Sequence, residues 1–333
     1  MANEKKKTAV IGLGSWGTAL GNVLADAGNP VVIWGRDEKA VAGLEKSHIN
    51  EKYLPGIQLS ANLHAEADLE KAISESDILV CSIPTQQIRQ VFTPHKKWLA
   101  KKWIINSSKG IEIKTHATVS EIFESLNPAA VYSILSGPSF ALEVVKRLPT
   151  AVTVASKDSD VADTIQKMMS TPYFRIYTSQ DVAGVELAGA LKNVIAIASG
   201  MVTGLQLGYN AQAALINRGV AEILRIGKKR KADPMTFMGL AGTGDLILTC
   251  TGPLSRNRKL GECIGKGMTF EEAKKSLGGV AEGYYTAHSA FELCKQLKVE
   301  APIIEQVYAI LYQGKSAKEA VRDLMTRELK EEW

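Results

Sequence analysis

The chain has 333 residues, 45% of them hydrophobic, which suits about two domains of roughly 150 residues with a core in each. Its net charge of +5 is too small and too dispersed for a nucleic-acid-binding face, and is compatible with an anionic substrate or cofactor. Cys81, Cys250, Cys263 and Cys294 form no CxxC pair and no His lies at ligand spacing from them, so neither a disulfide framework nor a metal site is expected.

The basic start of the chain is followed by an apolar stretch that glycines interrupt, without a signal-type cleavage site. No uninterrupted run of about 18 apolar residues follows anywhere, so no membrane span is expected and a cytoplasmic protein is. Residues 8–11 form a first strand. Directly after it stands Gly12-Leu13-Gly14-Ser15-Trp16-Gly17. Trp16, Ala19, Leu20, Val23, Leu24 and Ala27 then repeat at three/four spacing, the apolar face of a helix. Gly28 sits where a left-handed C-terminal cap belongs, Asn29-Pro30 makes a turn, and 31–34 reads as a second strand.

A GxGxxG between a strand and a helix, inside a unit of about 30 residues, is a dinucleotide fingerprint. Gly12 permits the tight turn, Gly14 lets a pyrophosphate approach the backbone, and Gly17 allows close helix–sheet packing. The amides at the helix start hold the pyrophosphate. The ribose-reading position falls on Gly35-Arg36-Asp37. An acid there reads the 2′-OH of NAD, and an arginine accommodates the 2′-phosphate of NADP. Arg36 comes first, which favours NADPH; on the other reading Asp37 caps the next helix and Arg36 is merely solvated.

Further apolar runs at 78–83, 103–105, 131–135, 151–155 and 174–177 alternate with helical stretches, as buried strands of a parallel sheet do. The expected fold is therefore an α/β Rossmann-type N-terminal domain, residues 1–180, with a parallel sheet. Two loops leave strand ends, where ligands bind in such sheets: Ser107-Ser108-Lys109-Gly110 and Ser136-Gly137-Pro138-Ser139. Ser139 by itself reads first as a helix N-cap.

From about residue 181 the pattern becomes helical, with stretches at 182–201, 211–226, 286–297 and 303–312 and no convincing strand. An all-α C-terminal domain, residues 181–333, is expected. Lys192 has only uncharged neighbours at helical spacing, so its own helix offers no ion-pair partner. Either its stem packs on apolar surface and its ammonium reaches water, or it faces a partly desolvated cleft as a proton donor and acceptor. Asn193 beside it adds a polar group.

The glycine-rich segment 239–244 leads to Asp245, which either caps the next helix or pairs with Lys192. Ser255 reads as an N-cap with Arg256, Asn257 and Arg258 in the first turn. Arginines there oppose the helix dipole unless an anion such as phosphate binds. The alternative is an ordinary capped helix with solvated arginines. The five histidines stand in no triad or metal spacing and read as structural or exposed.

The motifs GxGSWGTAL at 12–20, SSKGIE at 107–112, SGPSFALE at 136–143, ELAGALKNVIAIASG at 186–200, GLAGTGDLILTC at 239–250, SRNRKLG at 255–261 and VAEGYYTA at 280–287 occur in one order along nearly the whole chain. Together they resemble bacterial NAD(P)-dependent glycerol-3-phosphate dehydrogenase. The resemblance implies reversible conversion of sn-glycerol 3-phosphate to dihydroxyacetone phosphate, the reductive direction supplying phospholipid synthesis, and a homodimer. It implies that Lys192 is the proton acceptor in oxidation and donor in reduction, that Lys109 polarises the substrate oxygen, and that Asp245 supports the lysines, with Thr249 in the same network. Gly137, Ser139, Lys192, Asp245, Ser255, Arg256 and Asn257 match substrate positions, joined by Lys109. Ser15, Trp16, Arg36, Lys109, Ala141, Arg256, Val280 and Glu282 match cofactor positions. The readings that stand against it are a related dehydrogenase of hydroxy acids and a noncatalytic nucleotide sensor.

Overall fold

The computed structural model describes residues 6–277, 281–329, 331 and 332. The chain divides into two compact units: Met1–Lys109 with Ala117–Glu186, and Gly110–His116 with Leu187–Trp333. The sequence placed its division between residues 180 and 181; here it follows Glu186, and a short segment of the first half belongs to the second unit.

The first unit is an eight-stranded sheet with helices. Its strands are β1 (Thr8–Ile11), β2 (Val31–Trp34), β3 (Leu63–Glu66), β4 (Ile78–Cys81), β5 (Trp103–Asn106), β6 (Val131–Ser136), β7 (Thr150–Ser156) and β8 (Phe174–Ser179). They lie in the order β3-β2-β1-β4-β5-β6-β7-β8. The helices are α1 (Ser15–Asp26), α2 (Glu38–Ser47), α3 (Leu69–Ser74), α4 (Thr85–Phe92), α5 (Val119–Leu126), α6 (Ala141–Val145) and α7 (Ser159–Met169). The order reverses between β1 and β4, the crevice where open α/β sheets bind ligands. β1 and β4 are buried throughout, as their unbroken apolar runs demand.

Two features depart from the sequence reading. β7 pairs antiparallel with β6, Ser136 opposite Thr153 and Ser133 opposite Ser156, so the sheet is mixed rather than parallel. The reason is local: α6, from Ala141 to Val145, rises only about 1.5 Å per residue and is too short to carry the chain back along β6. The other is β3, which the sequence did not suggest. It is an edge strand of sequence Leu-His-Ala-Glu with only Leu63 buried, so it has no apolar run to detect.

The second unit is helical: α8 (Val182–Gly204), α9 (Gly208–Lys229), α10 (Pro234–Met238), α11 (Asp245–Thr251), α12 (Arg256–Gly265), α13 (Phe270–Ser276), α14 (Glu282–Leu297), α15 (Pro302–Gln313) and α16 (Ala317–Met325). The helix α8 is long and apolar enough to cross a membrane by length and composition, yet that window is wholly buried inside the protein. It is the core around which the other helices pack. Its first turns belong to the first unit, where the buried Glu186 carboxylate accepts from Ser120 N at 2.8 Å, Ser120 Oγ at 2.5 Å and the Tyr132 hydroxyl at 2.5 Å.

Close backbone contacts set the packing of α8 against α12. A Cβ on Gly261 would overlap the Ile197 carbonyl oxygen, and one on Gly200 would overlap that of Arg258. Only glycine lets the two backbones approach that far. The contact places the start of α12 alongside the middle of α8.

Candidate active site

In the first unit the turn after β1 has the form of the fingerprint. Gly12 holds φ +129°, and a Cβ there would overlap the Ser82 carbonyl oxygen at the end of β4. A Cβ on Gly17 would overlap the Gly12 carbonyl. Both glycines are therefore required by packing. Gly14 is different: a Cβ there would meet nothing within 4 Å. Its smallness keeps space open above the start of α1, and no side chain caps that helix. Among the described residues, Trp16 Nε1 is buried with no hydrogen-bond partner. Open space, an uncapped helix start and an orphaned donor suit an anionic dinucleotide. Ser15 Oγ donates to the Tyr53 carbonyl at 3.3 Å.

At the end of β2, Arg36 is exposed. Asp37 is the N-cap of α2, accepting from Ala40 N at 3.2 Å, and its other oxygen accepts from Lys52 Nζ at 2.8 Å. The lysine's hydrogen bond holds the Asp37 carboxyl below its usual range. Both carboxylate oxygens are thus engaged, and the capping role weighed for Asp37 is the observed one.

Lys109, Gly137 and Ser139 converge in the first unit. Lys109 Nζ lies 3.5 Å from the Gly137 carbonyl oxygen and Ser139 Oγ donates to the same oxygen at 3.0 Å. Gly137 adopts φ +153°, and a Cβ there would lie 2.8 Å from Val152 Cα. Ser139 does not cap α6, contrary to the expectation from its position: the N-cap is Phe140, and Ala141 opens the helix. The loop before Lys109 is fastened from below. Fully buried Asn106 clamps the Ser108 backbone, accepting from its N–H at 2.9 Å and donating to its carbonyl at 3.0 Å. The hydroxyls of Ser107 and Ser108 donate to the carbonyls of Cys81 and Ile83.

In the second unit Lys192 is buried, its side chain 7% exposed, and paired with Asp245, whose side chain is 2% exposed. Nζ donates to Asp245 Oδ1 at 2.5 Å and to Thr249 Oγ1 at 2.8 Å. Thr249 Oγ1 in turn donates to the Asp245 main-chain carbonyl at 2.6 Å, which turns its lone pair toward the lysine. The lysine is not snorkelling to water. Its charge is balanced, but by α11 rather than by its own helix. Asp245 opens α11 without capping it, so its pairing reading is the observed one. Behind the trio, burial pushes the Cys250 thiol up to about 12, so it is a neutral spectator at ordinary pH.

At the start of α12, Ser255 is the N-cap expected, its hydroxyl accepting from Arg258 N at 3.2 Å. Arg256 is exposed, whereas Arg258 is tied to Glu262 at 3.3 Å and to the Gly252 carbonyl at 3.3 Å. Asn257 links three helices: its amide donates to Asn193 Oδ1 at 2.8 Å and its oxygen accepts from Gly283 N at 3.0 Å. Gly283 is needed there because a Cβ would sit 2.7 Å from the Asn193 carbonyl. Glu282 is the first residue of α14. Val280 lies outside the described residues.

The sequence reading missed two residues at the dinucleotide turn. Asn50, 2% exposed, donates to the Leu13 carbonyl at 3.1 Å and to Thr18 Oγ1 at 2.8 Å, fastening the loop after α2 to the turn. Lys52 follows from that fastening. Neither stands in a motif, and only the folded loop brings them there.

Comparison with known proteins identifies the family. The family model for the NAD-dependent glycerol-3-phosphate dehydrogenase N-terminus matches residues 7–162, and that for the C-terminus matches residues 181–322. The chain is 50% identical over 331 residues to a glycerol-3-phosphate dehydrogenase [NAD(P)+] of Citrifermentans bemidjiense, covering 98% of this chain and 99% of that protein. It is 47% identical over 330 residues to that of Staphylococcus aureus strain RF122, with the same coverage. A crystal structure of glycerol-3-phosphate dehydrogenase from Coxiella burnetii superposes with a TM-score of 0.93 at 36% identity, covering 97% of this chain and 99% of that one.

Proposed function

The chain belongs to the NAD-dependent glycerol-3-phosphate dehydrogenase family, and from that premise we propose how its residues divide the work of interconverting sn-glycerol 3-phosphate and dihydroxyacetone phosphate. The observation that carries the reading is the buried Lys192–Asp245–Thr249 trio. A nicotinamide, when bound, supplies the hydride to the ketone carbon or takes it back from the alcohol carbon.

The first unit holds the dinucleotide. The amides of the Gly12–Gly14–Gly17 turn, with Ser15 and Trp16, receive the pyrophosphate; Ala141, at the start of α6, serves the same ligand. Arg36 receives the 2′-phosphate, which makes NADPH the preferred coenzyme over NADH. Arg256, Val280 and Glu282 complete the cofactor set.

Proton transfer belongs to Lys192. In reduction its ammonium donates to the alkoxide oxygen as that charge develops; in oxidation the amine accepts the hydroxyl proton. Asp245 and Thr249 fix the position of Nζ, so the transfer needs no rotamer search. Lys109 carries a positive charge suited to polarising the substrate oxygen. Gly137, Ser139, Ser255, Arg256 and Asn257 bind the substrate, the helix start and arginine suiting its phosphate. The protein works in this reading as a cytoplasmic homodimer whose reductive direction provides glycerol 3-phosphate for phospholipid synthesis.

The test follows coenzyme oxidation with dihydroxyacetone phosphate. Lys192→Ala should lower turnover at least about 100-fold while leaving coenzyme affinity within a few-fold. Because that change strands a buried carboxylate, the Lys192→Met, Asp245→Asn double variant serves as its well-folded companion. Unchanged turnover in either would remove the lysine's role.

A further inference from the structure

The end of β2 carries an ion pair that stability does not explain. Lys52 and Asp37 meet at 2.8 Å with side chains 52% and 44% exposed. A pair so open to water adds little to folding. Its placement, however, is built. Asn50 pins the loop after α2 to the Leu13 carbonyl and to Thr18, and Ser15 Oγ holds the Tyr53 carbonyl. Lys52 lies between these anchors, stacked over the Tyr53 ring at 5.6 Å from its centroid. The loop therefore delivers an ammonium to the end of β2, close enough to Arg36 that the two cations repel.

The position it reaches is where an acid or an arginine selects the coenzyme. Asp37 is the residue that would otherwise work against a 2′-phosphate. An ionised carboxylate beside a bound dianion repels it, and would itself accept a hydrogen bond from a 2′-OH. We propose that Lys52 is a coenzyme-specificity residue: by engaging Asp37 it offsets the negative charge next to Arg36 and leaves that corner more cationic for a ribose 2′-phosphate. The inference rests on the reading that Arg36 receives that phosphate. Lys52 acts through Asp37, so it is a positioning and charge-balancing residue rather than a catalytic one.

The test measures binding directly by isothermal titration, with adenosine 2′,5′-bisphosphate and 5′-AMP as probes that differ only in the 2′-phosphate. Lys52→Ala should lower the preference for the bisphosphate about five- to tenfold, with 5′-AMP affinity unchanged. Lys52→Ala with Asp37→Asn should regain most of the preference, because asparagine keeps the helix cap without the charge. The NADPH-to-NADH ratio of kcat/KM should follow the same order. The inference falls if Lys52→Ala weakens both probes alike or neither, or if the double variant regains nothing. An Arg36→Ala arm separates the two levels. If it abolishes the preference while Lys52→Ala does not, Lys52 alone is misassigned. If it has no effect on the preference, the reading of Arg36 fails and this inference with it.

Discussion

A lysine in an apolar helix is conspicuous in a sequence because nothing near it can balance its charge. Lys192 stood out for that reason, yet its partners, Asp245 and Thr249, come from a helix more than fifty positions later. The anomaly was legible, and pairing with Asp245 was one of two readings open for that acid; choosing between them depends on packing across helices, which local spacing does not encode. Lys52 shows the opposite case: an ordinary surface lysine in the sequence, given meaning by a loop that Asn50 fastens. A buried acid the sequence did not mark supplies a pH prediction at this scale. Glu222 accepts from Ile303 N and Ile304 N at the start of α15, the second at 3.1 Å, and burial outweighs those hydrogen bonds to push its carboxyl up to about 7. Between its ordinary value, near 4.5, and about 7 the folded chain binds a proton that the unfolded chain has released. Stability should therefore be greatest below that interval and fall as pH rises through it, by up to about 3 kcal/mol. Denaturant titrations across pH should show the decline, and Glu222→Gln should flatten it; an identical slope in that variant would locate the effect elsewhere.

At the scale of elements, strands buried on both faces announced themselves. β1, β2, β4, β5 and β6 were readable from continuous apolar runs, and α8 from its length. β7 and β8 were read as well, at 151–155 and 174–177; what escaped was an edge strand without an apolar run and an orientation set by the length of a connection. β3 is an edge strand with a polar outer side, and the reversal of β7 follows from the brevity of α6. Glycines inside α8 and α12 were equally opaque, because a glycine in a helix looks like a defect until its neighbour's backbone is seen. Gly261→Ala is expected to force the two helices apart. It should cost about 1–3 kcal/mol of stability, and more where the backbone cannot shift. Because α12 also carries Ser255, Arg256 and Asn257, the KM for the phosphorylated substrate should rise along with the fall in melting temperature. Thermal melts and steady-state kinetics on the same preparation check both; a variant with unaltered melting would show that the contact yields freely.

For the whole molecule, composition and periodicity gave an α/β half followed by a helical half. They could not show that Gly110–His116 is counted with the helical unit. Ile111 is fully buried in that unit's core, its carbonyl accepts from Ser289 Oγ at 2.9 Å, and His116 meets Gln296 at 2.8 Å. A fragment beginning at residue 181 lacks the segment and leaves a cavity where Ile111 belongs, a loss of about 2–5 kcal/mol. It should melt lower and less cooperatively than the same fragment with residues 110–116 fused through a flexible linker. Equal melting of the two would make the segment dispensable.

The same threading bears on how such a chain can be recombined. A single crossover anywhere between codons 117 and 186 transplants the helical body of one parent while retaining the other parent's Ile111 and His116. Chimaeras cut there inherit the other parent's plug, and exchanging the helical unit intact between relatives takes two further crossovers, one on each side of residues 110–116.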